Sequence, residues 1–135
     1  MATINISLAA GSVASPFFID AKITKQLCAK TSVTPVFVPV FTLLSYRLVG
    51  GTNQYEALVG VSGIVSYTPC GGCCAKSQTI NETFTIPFVS AAAPTSVTIT
   101  AGDPINTIIT GNGCGKCAMC GNTFVSDVPL TLTVA

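Results

Sequence analysis

The stretch EALVGVSGIVSY, residues Glu56–Tyr67, decides the fold class of this chain. Apolar side chains alternate with small or polar ones along it, and successive side chains of a β-strand point to opposite faces of a sheet. Valine, isoleucine and tyrosine also fit well on the pleated surface of a sheet. The stretch therefore predicts a long strand with one face turned toward a core.

The same alternation recurs along the chain, whereas a helical period is absent from every long window. Four further stretches show it: TINISL (Thr3–Leu8), TINETFTIPFV (Thr79–Val89), SVTIT (Ser96–Thr100) and PLTLTV (Pro129–Val134). Turn-forming residues separate the strands, and VGGTNQY (Val49–Tyr55) predicts a hairpin loop. We expect one short helical turn, at KQLCAKT (Lys25–Thr31).

This pattern predicts an all-β fold, a single antiparallel β-sandwich that is Ig-like or jelly-roll-like. It should have about seven or eight strands and two Cys-rich loops. One domain is expected to span residues 1–135, because this length suffices for one core and is too short for two. Prolines cannot donate to a neighbouring strand, so we expect edges or bulges at Pro35, Pro39, Pro87 and Pro129.

Charge is scarce in this sequence. Charged residues make up 8% of the chain and hydrophobic residues 49%, whereas an average soluble domain is about 25% charged. The net charge of +1 argues against a nucleic-acid partner, which would require a dense basic surface. The surface must be built from Thr, Ser, Asn and Gly with apolar side chains among them. We expect much of it to be buried against other subunits.

Membrane insertion and export are not indicated by the sequence. The longest apolar run, VFVPVFTLL (Val36–Leu44), is about half of the ~20 residues that a spanning helix needs, and Pro39 interrupts it. The N-terminal residues lack the basic start and continuous apolar stretch of a signal peptide. We therefore expect synthesis in a cytosol, although a chain whose leader had been removed would look similar.

Six of the seven cysteines lie in two glycine-lined knots, CGGCC (Cys70–Cys74) and CGKCAMC (Cys114–Cys120), and the chain has no histidine. A C-x-x-C turn presents two sulfurs to one metal, and four thiolates hold a structural zinc ion. The predicted zinc ligands are Cys70, Cys73, Cys117 and Cys120, with Cys74 and Cys114 as alternates. Both knots lie between predicted strands, so they would meet if those strand ends share one pole of the sandwich.

Other cysteine chemistries stay open at this stage. Disulfides between the knots are the main alternative to zinc, since they would form once the protein leaves a reducing cytosol. Unpaired or redox-active thiols are a third possibility, although a redox C-x-x-C normally sits in a βαβ setting that this pattern lacks. Cys28 stands apart in the sequence and is expected to be a small buried hydrophobic residue.

Catalysis is not expected. The lack of histidine removes the commonest general base and every Ser-His or Cys-His nucleophile. The carboxylates are isolated in the sequence, at Asp20, Glu56, Glu82, Asp103 and Asp127. No phosphate-binding loop or nucleophile elbow is present, so we expect a protein that is not an enzyme and has no small-molecule substrate.

Three stretches carry a resemblance to a known family: YTPCGGCC (Tyr67–Cys74), NETFTIPFVS (Asn81–Ser90) and CGNTFVSDVPLTLTVA (Cys120–Ala135). With them the chain resembles the small auxiliary capsid (head decoration) proteins of tailed bacteriophages, and more narrowly those of crAss-like phages. The resemblance implies a structural virion protein, made in the host cytoplasm, that sits on the capsid exterior. It further implies contacts with the major capsid protein and neighbouring virion subunits, and it assigns no individual functional residues.

Two other functions fit the same sequence. A non-catalytic zinc-knuckle β-sandwich module would mediate protein–protein interaction in a cell through its metal-bound pole. An adhesive domain of a surface structure, with its leader removed, would also have a low-charge, Thr-rich surface. The position of the gene beside portal and capsid genes, or the lack of such neighbours, would separate a virion role from a cellular one.

Overall fold

The computed structural model describes residues 2–8, 15–50, 53–70, 74–110 and 120–135, with the backbone alone described at positions 110 and 120. The described residues form strands joined by turns and contain no helix. The strands are β1 (Ala2–Leu8), β2 (Phe17–Lys30), β3 (Val36–Phe37), β4 (Val40–Leu48), β5 (Gln54–Tyr67), β6 (Lys76–Val89), β7 (Val97–Ala101), β8 (Ile105–Thr110) and β9 (Cys120–Val134).

The strands form two antiparallel sheets. In the first sheet β1 pairs with β2 and β2 with β9, while β8 and β7 follow one another along the far side of β9. In the second sheet β5 is central, with β3 and β4 along one side and β6 along the other. The two antiparallel sheets fit a β-sandwich and confirm the predicted all-β fold.

The core lies between the two sheets. Buried side chains come from alternate positions of the long strands, such as Ile19 and Ile23 of β2 and Val59 and Val61 of β5. The aromatic ring of Phe37 from the second sheet meets that of Phe124 from the first edge-on, at 5.8 Å between ring centroids. Burying a side chain of this size stabilises the fold by about 1.5–3 kcal/mol.

The expected helical turn at Lys25–Thr31 is wrong, because residues up to Lys30 belong to β2. Gln26 pairs with Thr123 and Ala29 with Gly121, and a β-bulge between Gln26 and Ala29 interrupts the register. Backbone pairing with β9 and the burial of Leu27 and Ala29 stabilise the strand more than local propensity stabilises a helical turn.

Three of the four strand prolines lie where the sequence predicts them. Pro35 and Pro39 flank β3 at one edge of the second sheet, and Pro87 lies in β6 at the other edge. Pro129 is a correction, because β9 is an interior strand. Its carbonyl accepts a hydrogen bond from the backbone N–H of Gly102, 2.8 Å away, in the gap between β7 and β8. Proline has no N–H, and the side of Pro129 from which an N–H would donate faces the same gap. No hydrogen bond between strands is therefore lost there.

The predicted hairpin loop joins β4 to β5. Leu48 pairs with Tyr55, and the Val49 N–H donates to the carbonyl oxygen of Gln54 at 2.7 Å. Asn53 has a φ of 66°, a left-handed conformation that asparagine tolerates better than most residues. The described part of this loop confirms the prediction.

Candidate functional site

Ends of four long strands meet at one pole of the sandwich, at Cys28–Lys30, Thr68–Cys70, Cys74–Lys76 and Cys120–Gly121. We call it the cysteine pole. Lys30 pairs with Cys120 on one side of β2, and Ala29 forms an isolated bridge with Pro69 on the other side. The Lys30 N–H donates to Thr68 O at 2.9 Å, and the Cys70 N–H donates to Cys28 O at 3.3 Å. The end of β2 therefore links the two sheets. The backbone of Cys120, from the second knot, lies on one side of it, and the backbone of Cys70, from the first knot, lies on the other.

The predicted ligands are placed only in part. Cys70 directly follows Pro69, the residue that bridges to Ala29, and is half-buried. The alternate Cys74 is exposed just before β6. Cys120 begins β9, with its backbone described. Cys73, Cys117 and the alternate Cys114 lie outside the described residues. Their assignment as zinc ligands stays a prediction.

Cys28 belongs to the cysteine pole, which the sequence reasoning missed. It is exposed and lies opposite Cys70, so the expectation of a buried hydrophobic residue is wrong. The signal that could have revealed it is the alternation of Leu27 and Ala29, which point into the core and turn Cys28 outward.

In the structure Cys28 and Cys70 are both disulfide-bonded. A sulfur in a disulfide is not a thiolate, and the thiolate is the form that binds a metal ion. Within the described ranges no three Cys, Asp or Glu side chains come together as a metal-binding group. The zinc and disulfide alternatives for the two knots both stay predictions, because Cys73, Cys114 and Cys117 lie outside the described residues.

Two carboxyl groups that are distant in sequence meet on the outer face of the first sheet. Lys22 pairs with Asp127 and Asp20 with Pro129, which places Asp20 diagonally across from Asp127. A hydrogen bond with Asp127 raises the pKa of Asp20. Partial burial and the negative charge of Asp127 raise it further, while Lys22 lowers it. Asp127 Oδ1 is buried without a hydrogen-bond partner in the structure.

An apolar groove of about 330 Å³ lies at the pole opposite the cysteines. Its walls come from the end of β1, the start of β2 and the β4–β5 and β6 ends, including Leu8, Phe17 and Val49. The Tyr55 and Phe88 rings stack in its wall with centroids 5.5 Å apart. Glu56 is its charged lining residue and is held by Arg47, with 2.7 Å between Arg47 Nη2 and Glu56 Oε1. The groove therefore offers an apolar surface and little free charge.

Four aliphatic side chains form a second apolar surface, on the outer face of the second sheet. We call Val36, Val38, Val40 and Ile64 the valine patch, and all four are exposed. Val36 pairs with Ser66 and Val40 with Ser62, so the same register brings Val38 beside Ile64. Phe37, between two of the valines, points the other way and is buried in the core. Such a contiguous apolar surface at an edge is a candidate interaction site.

The outer faces of the two sheets differ in charge. The first sheet carries Asp20, Lys22 and Asp127 on its outer face. Among the described residues facing outward from the second sheet, charge is limited to Arg47 and Glu56, which are paired with each other. The rest of that face is Thr, Ser, Asn, Gln, Gly and aliphatic side chains. Electrostatics therefore makes the second sheet the neutral side of the molecule.

Comparison with protein-family models, with curated proteins and with solved structures gives no match to the chain. In the described parts of the chain no helix is long and apolar enough to cross a membrane.

Proposed function

We propose that this chain is a non-catalytic structural protein of a virion, an auxiliary protein that binds the capsid exterior through the major capsid protein. The observation that carries the proposal is the set of large aliphatic side chains exposed on a compact β-sandwich, of which Val38 is 71% exposed. Covering a surface of this kind with a neighbouring subunit lowers the free energy, because apolar area is removed from water.

The low charge of the surface supports docking over a broad area. Interface cores are depleted in charged residues, because each buried charge must be paired or it costs free energy. A neutral face rich in threonine and serine can exchange its hydrogen bonds with water for bonds with a partner. The outer face of the second sheet has this composition.

We also propose that the cysteine pole fastens the two sheets, with disulfides as the cross-links at Cys28 and Cys70. A small sandwich outside a cell must resist unfolding, which is often irreversible there. Forming each bond removes two protons and two electrons from a pair of thiols, and molecular oxygen or a small-molecule disulfide would accept the electrons. Zinc held by the remaining cysteines is the alternative fastener.

The direct test of the virion proposal is to search purified particles for the chain. Particles from cultures of the phage that encodes it would be purified by density gradient and analysed by quantitative mass spectrometry. We expect the chain at a constant ratio to the major capsid protein, and immunogold labelling on the outside of intact heads. A chain that is absent from particles, or that is labelled only after the heads are opened, would overturn the proposal.

The alternative functions predict different results in the same experiment. A cellular interaction module would stay in the soluble fraction of infected cells, and an adhesive domain would be found with cell envelopes. A thiol count and elemental analysis on the native protein then distinguish a zinc site from disulfides at the cysteine pole. One zinc per chain would support the knuckle, and blocked thiols without metal would support disulfides.

A further inference from the structure

We draw no further inference here: the strongest candidate, the pair of carboxyl groups of Asp20 and Asp127 on the outer face of the first sheet, carries nothing, because it is an acidic cluster beside Lys22 and nothing in the described part of the chain points to a ligand there.

Discussion

Gly63 shows how one residue without a side chain positions a surface. The chain at Phe37–Pro39 presses on β5 at this point, and a Cβ atom on Gly63 would meet a buried ring and a backbone oxygen. Neither can move without disturbing the core or the strand. Gly63→Ala should therefore lower the free energy of unfolding by about 1–3 kcal/mol, measured by urea denaturation.

Gly60→Ala is the control for that substitution, because it adds the same methyl group three residues away in the same strand. A Cβ atom there would lie 3.5 Å from Leu44 Cδ1, an ordinary van der Waals distance. Its stability should stay the same or rise slightly, since glycine is unfavourable inside a strand. Equal losses for Gly60→Ala and Gly63→Ala would mean that close packing at Gly63 has no special role.

The pair of Asp20 and Asp127 predicts a dependence of stability on pH. The pKa of Asp20 is raised in the folded chain, first by its hydrogen bond with Asp127, so the folded state holds its proton at pH values where the unfolded state has lost it. The contribution is fully present below the unfolded pKa of about 3.9 and is lost as the pH rises through the folded pKa. Asp20→Asn keeps a neutral side chain that can donate to Asp127 at every pH.

The expected result is that Asp20→Asn is more stable than the parent chain near neutral pH, with a difference that shrinks toward acid. Thermal melts across this pH range measure it. Asp103→Asn, in the connection between β7 and β8, is the control and should give no such trend, because Asp103 is exposed. A difference between Asp20→Asn and the parent that does not change with pH would contradict the raised pKa of Asp20.

At the scale of elements, the strands with regular alternation are the ones that sequence predicts well. Residues 56–67 and 79–89 lie inside β5 and β6, because each has one face in the core and one in solvent. The sequence does not predict β2 as a strand, because the bulge after Gln26 and the mixture of lysines and small residues hide its period. Its role depends on pairing with β9 and with Pro69, which are distant in sequence.

The cysteine pole can likewise be predicted only in part from the sequence. Spacing within the knots predicts a fastener, but the identity of the participating sulfurs depends on which strand ends share a pole. Cys28 lies far from both knots in sequence and beside Cys70 in space, and only the pairing of Ala29 with Pro69 and with Gly121 reveals this. Local spacing carries no information about such contacts.

Removing Cys28 should lower the stability of the fold. Because Cys28 is exposed and disulfide-bonded, Cys28→Ser removes a cross-link and little buried surface. We expect the free energy of unfolding to fall by about 2–4 kcal/mol in oxidising buffer, measured by denaturant unfolding. In the presence of reductant the variant and the parent chain should have the same stability, which serves as the internal control. Equal stability in oxidising buffer would show that this bond does not fasten the fold.

At the scale of the whole molecule, the two faces of the sandwich have different physical chemistry. The first sheet carries Asp20, Lys22 and the half-buried Asp127 on its outer face, whereas the second presents the valine patch and one neutralised ion pair. A protein that associates through the second sheet would keep its charged face toward water. Orientation on a particle would then follow from the distribution of charge and not from a specific loop.

This asymmetry predicts how the proposed binding to a capsid would respond to salt. Screening by salt weakens contacts between exposed charges, whereas apolar burial is not weakened and is strengthened by excluded salts such as sulfate. Purified chain added to particles stripped of it should therefore bind as well in concentrated sodium chloride as in dilute buffer, and more tightly in ammonium sulfate. Sedimentation of particles with bound chain measures this.

The Val38→Asp variant helps to locate the contact, since unchanged binding would show that the capsid contacts another surface. Release of the chain by moderate sodium chloride would mean that charges, and not the neutral face, hold it on the particle.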